Sequence, residues 1–229
     1  MRITYLLLSI SSLLSAISCS SDSSPVPSSN FSSSPEALAT EDLKSGGIYK
    51  GVIVGSSGMF VVRLQKGVKH ITITLDGVSK ELSPTGLVDW TTGLPIKNAV
   101  FVSGDWQAIF SVGATGLVPS LTLDIPGHAN AQVVILKETS KAIVRAYEGT
   151  YAGSESGTWN FIIQAQALVG VSRSADGLTS QSIYGLADGT TLNLTAPVGT
   201  GTLSGDNASG TWQGSSAGVS GTWTGKRVL

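Results

Sequence analysis

One cysteine in 229 residues rules out a disulfide scaffold. Charge is equally scarce. Only 13% of residues are charged, with 14 Lys+Arg against 15 Asp+Glu and a net charge of −1, about half the ~25% of an ordinary soluble domain. A chain without a basic stripe cannot displace counterions, which argues against nucleic acid as a partner, and no acidic run is present to form a polyelectrolyte tail. The two histidines, His70 and His128, lie far apart with no thiolate at ligand spacing, so no metal site and no cofactor are expected. Long apolar runs are missing as well. The longest, Ile3 to Ile17, is broken by serines and falls short of the ~20 residues a spanning helix needs.

That short run follows Met1-Arg2, and the combination reads as a secretory signal, residues 1–18. It ends in Leu14-Ser15-Ala16-Ile17-Ser18-Cys19. These residues resemble the lipobox of bacterial lipoproteins, and Ala16 in place of the usual leucine looks like the looser spirochaete form. The resemblance implies that Cys19 is lipidated and becomes the mature N-terminus. Acyl chains contribute about 0.8 kcal/mol per buried methylene, so two or three anchor a protein durably. Ser20 after the cysteine, with no retention-type Asp, favours the outer membrane by the family's rule. Residues 19–45 then form a tether. Ser20 to Pro35 holds nine serines and three prolines, too little apolar surface to offset ordering entropy, and is expected to be disordered. Ser34-Pro35-Glu36 predicts a short helix running to about Lys44.

The most abundant feature is glycine, 28 residues, and it comes in a repeat. Tyr49-Lys50-Gly51, Gly55, Gly58 and Phe60 recur as Tyr147-Glu148-Gly149, Gly153, Gly157 and Trp159. Two copies about a hundred residues apart predict two tandem all-β domains, residues 46–145 and 146–229. In the second, Ser-Gly-Thr-Trp ends at Trp159, Trp212 and Trp223, with Gly and Trp on one face and polar residues on the other. Trp212 and Trp223 are expected to face each other across a hairpin turning at Ala217-Gly218. Turn signals at Asp176-Gly177, Asp188-Gly189 and Gly205-Asp206 delimit eight short antiparallel strands, near 147–152, 157–165, 168–174, 179–187, 190–196, 199–204, 208–213 and 219–226. They predict an up-and-down barrel whose Trp and Leu side chains are sufficient to fill its lumen. The first domain is all-β too, a second barrel or a sandwich, with a long loop from Ser83 to Asn98.

Chemistry is harder to find. Gly214-Ser215-Ser216-Ala217-Gly218 matches a nucleophile-elbow string but lies between two Trp-bearing strands, so it reads as a hairpin loop. The acids of the second domain sit mostly at turns, which disfavours a glycosidase pair, and Asp124 is the nearest carboxylate to His128. The chain is therefore not expected to be an enzyme. Binding candidates are Trp90, in the long loop, and the basic residues Arg63, Lys66, Lys69 and Lys80; Trp106 and Phe110 read as core.

A signal, a lipobox cysteine, a serine-rich tether and two small β domains resemble the plan of two-domain β-barrel surface lipoproteins, the factor H-binding, transferrin-binding and complement-regulator-acquiring types. The resemblance implies a surface-exposed adhesin that binds host proteins: complement regulators, plasminogen or matrix components. Two alternatives remain open, a barrel carrier of a small apolar ligand and an envelope-structural lipoprotein.

Overall fold

The computed structural model describes residues 31–55, 57–85, 93–129 and 131–229. The signal segment, Cys19, the tether as far as Asn30 and Trp90 lie outside them. The described chain is all-β. Eight strands build a first sheet: β1 (Gly47–Ile53), β2 (Gly58–Leu64), β3 (His70–Leu75), β4 (Val78–Pro84), β5 (Ile96–Ser103), β6 (Trp106–Val112), β7 (Ser120–Asp124) and β8 (Val133–Glu138). Eight more build a second: β9 (Val144–Gly153), β10 (Gly157–Gln164), β11 (Ala167–Ser174), β12 (Ser180–Asp188), β13 (Thr191–Ala196), β14 (Val198–Ser204), β15 (Asn207–Gln213) and β16 (Ser220–Arg227). Both are antiparallel meanders whose last strand returns beside the first. The second closes completely, β16 pairing with β9. In the first, β8 pairs with β1 but β7 and β8 remain edges, leaving a nearly closed barrel and not a sandwich.

The repeated glycines and aromatics have a packing cause. In the register of β1 and β2, Gly51 faces Phe60; in that of β9 and β10, Gly149 faces Trp159. A Cβ at either glycine would stand 2.5 Å from the opposite ring, so each glycine is the room its aromatic occupies. The tyrosines that open the repeat, Tyr49 and Tyr147, are both fully buried in their lumens. The same rule corrects the expected indole pair. Trp212 faces Gly221 and Trp223 faces Gly210, because the six-residue loop between Gln213 and Ser220 sets a register in which two indoles never meet head-on.

Each lumen is plugged at one end by the same device. Tyr49 is paired across strands with Lys137, and Tyr147 with Arg227. Both cations reach carbonyls of the chain that precedes β1. Lys137 Nζ donates to the Glu41 and Lys44 carbonyls, and Arg227 to that of Ser32. Residues 31–46 are thus a strap, not the expected helix. The helical part is a single 3-10 turn, Ala39–Glu41. Tertiary bonds outcompete a helix of marginal length: the amides of Glu36 and Leu38 donate to the side chains of Glu138 and Gln65. Phe31, expected within the disordered tether, lies under the Arg227 guanidinium at 5.2 Å.

The two barrels touch along their outer walls. Val52, Val134 and Leu136 of the first pack against Val144, Ala146, Ile162 and Val169 of the second. Gln164 donates to the Lys137 carbonyl near the plugged ends, and the Gly55 amide donates to Asn160 toward the other. The barrel axes therefore run side by side, with both plugged ends on one side.

Candidate functional site

The second lumen is filled at its plugged half and open at the other. Tyr147, Phe161, Leu168 and Leu192 are core, with Phe161 stacked on Trp159 at 4.5 Å. Beyond them a cavity of about 410 Å³ opens between the loops joining β9 to β10, β13 to β14 and β15 to β16. The expectation of a full lumen fails there. The glycines that admit each indole, Gly201, Gly210 and Gly221 among them, leave the opposite wall without side chains, so three tryptophans cannot fill a ring of eight strands.

The walls are aromatic and aliphatic: Tyr151, Trp159, Trp212 and Trp223 with Ile183 and Leu194. Tyr151 meets Trp212 edge-on at 5.8 Å, and Trp159 meets Trp223 likewise at 5.4 Å. Two indoles are anchored by a recurring bond, Trp159 Nε1 to the Thr150 carbonyl and Trp223 Nε1 to that of Thr211, each the residue after the facing glycine. Trp212 is the third member, yet its buried Nε1 makes no such bond. The rim is polar, with Ser172, Gln181, Gln213, Ser215 and Ser216. Glu155 is the one carboxylate in the lining, and neither Lys nor Arg joins it. Burial, together with the charges of Glu155 and Asp176, raises the Tyr151 phenol above its usual range. Asp176 itself is held low by the Ser174 hydroxyl and the Leu178 amide. The mouth therefore sets one lining carboxylate over an apolar floor.

Gly214 to Gly218 forms the hairpin loop the sequence suggests, and its two serines belong to the rim. His128 sits 3.2 Å from Asp76 instead of pairing with Asp124, because the turn at Pro126-Gly127 brings it to the end of β3. Among the described residues no group of three His, Cys, Asp or Glu side chains is arranged to hold a metal. The basic candidates do not converge. Arg63 points out of the first barrel to Glu36 at 3.2 Å. Lys80, in register with core Ile73, lies over the Trp106 ring at 4.7 Å and pairs with Asp105 at 3.0 Å. Lys66 and Lys69 occupy the turn between β2 and β3, Lys66 with φ +54°. The cavity itself was missed because Trp-rich inward faces read as filled; the facing glycines were the signal. No family model, curated protein or solved structure matches the chain.

Proposed function

We propose that the chain is a lipid-anchored outer-membrane binding protein, not an enzyme, which takes up a small, largely apolar molecule at the mouth of its second barrel. The observation that carries this reading is the aromatic-walled cavity of about 410 Å³ with its polar rim. That volume lies within the range of small-molecule pockets, roughly 300–1,000 Å³, and its mix of apolar walls with a few convergent polar groups is the usual pattern. Glu155 at the rim favours a neutral or cationic ligand over a fatty acid. Anchoring rests on the lipobox at Cys19 and is checked by mass spectrometry of the intact protein, which should find diacylglyceryl modification there.

The test is a titration with the neutral probe N-phenyl-1-naphthylamine, read by energy transfer from the three wall tryptophans. One-to-one binding is expected, and Ser172→Phe, which fills the cavity from an inward position, should abolish it. Binding unchanged in that variant refutes the site. Capture of host proteins, the second reading, is favoured by exposed apolar side chains on the outside of the second barrel, Leu178 and Val198 at the mouth with Tyr184 and Leu186 along β12. Such clusters are uncommon on monomer surfaces without a role. A serum pull-down that Tyr184→Ala with Leu186→Asp eliminates, while probe binding persists, selects it.

A further inference from the structure

The plugged end of the first barrel carries a second unusual surface. Four large apolar side chains stand in solvent there: Leu43 at 81%, Leu94 at 59%, Leu117 at 68% and Val118 at 87% exposure. They come from three separate segments that the fold draws together. Lys137 ties the strap carbonyls of Glu41 and Lys44, Gly116 packs against the same lysine, and the Gly93 amide donates to Ser45 Oγ at 3.2 Å. Val118 is held at φ +54°, a conformation that β-branched residues rarely adopt. A strained, outward-turned valine beside three exposed leucines has no role in the core.

Charge sorts along the same barrel. Exposed Lys44, Lys66, Lys97 and Lys141 stand on the segments at the plugged end. The turns and strand end at the opposite end carry Asp76, Asp105 and Asp124, with Lys80 paired to Asp105 and His128 beside Asp76. Of the acids near the plugged end, Asp42 is bound by Ser140 through its amide and hydroxyl, Glu36 by Lys50 and Arg63, and Glu138 by Lys50, while Glu41 turns a buried carboxylate oxygen inward and faces the charge of Lys137. The direction of the chain agrees. It enters the described structure at Phe31, beside the plugged end of the second barrel. Eleven residues separate Cys19 from Phe31, a reach of at most about 40 Å fully extended.

We infer that this end is a membrane-docking face, in which Leu43, Leu94, Leu117 and Val118 enter the headgroup–acyl boundary of an anionic lipid surface and the surrounding lysines meet its phosphates. Shallow insertion of an apolar patch within a basic rim is the physics of peripheral membrane binding. It turns the mouth of the second barrel away from the bilayer, since both plugged ends lie on one side. The inference does not depend on what the mouth binds.

The test uses the chain from residue 19 onward with Cys19→Ser, so that no acyl chain contributes, sedimented with vesicles of phosphatidylcholine alone or with 30% phosphatidylglycerol. Binding at least tenfold stronger to the anionic vesicles is expected. Leu117→Asp with Val118→Asp should weaken it at least tenfold with circular dichroism unchanged, whereas Leu178→Asp at the opposite end should leave it intact. No binding to anionic vesicles, or equal binding by all three proteins, overturns the inference. So does shielding of a dye at Leu117→Cys by an added protein but not by vesicles, which assigns the face to a protein partner.

Discussion

At the residue scale, the second barrel is a set of glycine–tryptophan exchanges. Each indole takes the volume that a side chain on the facing strand would need, so a methyl group there has nowhere to go. Gly149→Ala places its Cβ 2.5 Å from the Trp159 ring and against the backbone of β16. Overpacking of this kind costs about 1–3 kcal/mol or more. Gly189, by contrast, has a positive φ, +59°, but nothing within 4 Å, so Gly189→Ala should cost only about 1 kcal/mol of backbone strain. Urea midpoints of the two variants should differ accordingly; equal midpoints would mean that the indoles yield. The indole N–H groups separate in the same way. Trp159→Phe loses a bond to the Thr150 carbonyl, while Trp212→Phe loses none. The first should be the more destabilising by about 1 kcal/mol in the same measurement.

At the scale of elements, the strands were legible and the strap was not. Period-2 alternation and Asx-Gly turns place all eight strands of the second sheet within a few residues of where they lie, because each turn carries its own chemistry. Register was not legible: the facing of Trp212 depends on how the Gly214–Val219 loop folds, and the sequence allowed several turns there. The strap escaped reading because its stabilising partners are remote. Lys50 Nζ lies 2.8 Å from Glu138 and 3.2 Å from Glu36, and the Val144 amide also donates to Glu138. Lys50 and Glu138 are almost wholly buried, so Lys50→Ala leaves a buried carboxylate unneutralised, at a cost of about 3–5 kcal/mol in equilibrium unfolding. Glu36 gives the strap a pH signature. Burial works to raise its pKa, but Lys50 and Arg63 outweigh that and hold the carboxyl below its ordinary value of 4.5. Its contribution is complete above that value and fades as pH falls through the lowered one. Glu36→Gln should therefore be less stable than the parent at pH 6, with the gap narrowing toward pH 2–3; a gap independent of pH would remove the ion pair from the account.

At the scale of the whole molecule, one topology is used twice and closed only once. The difference traces to inward glycines. In the second barrel they recur on nearly every strand, as Gly149, Gly157, Gly170, Gly185, Gly199, Gly210 and Gly221, and allow the tight coiling that closure demands. In the first barrel Gly51 and Gly58 serve this role on β1 and β2, while the wall of β3 to β6 turns Ile71, Ile73, Leu82, Phe101, Ala108 and Phe110 inward. Bulk there spreads the sheet, and β7 and β8 stay apart. That consequence depends on how bulk packs across the sheet and not on the alternation that marks each strand, and so barrel and sandwich could not be told apart for the first domain. The seam then decides whether two barrels behave as one body. Ile162, fully buried against Val52, Val144 and Ala146, belongs to the outer wall of β10, so Ile162→Asp disrupts the seam while leaving the lumen's side chains in place. A seam of buried apolar side chains should couple the barrels into a single calorimetric transition in the parent protein. In Ile162→Asp that transition should split in two, one for each sheet. A single transition merely shifted to lower temperature would show instead that strap and plugged ends, not the apolar seam, carry the coupling.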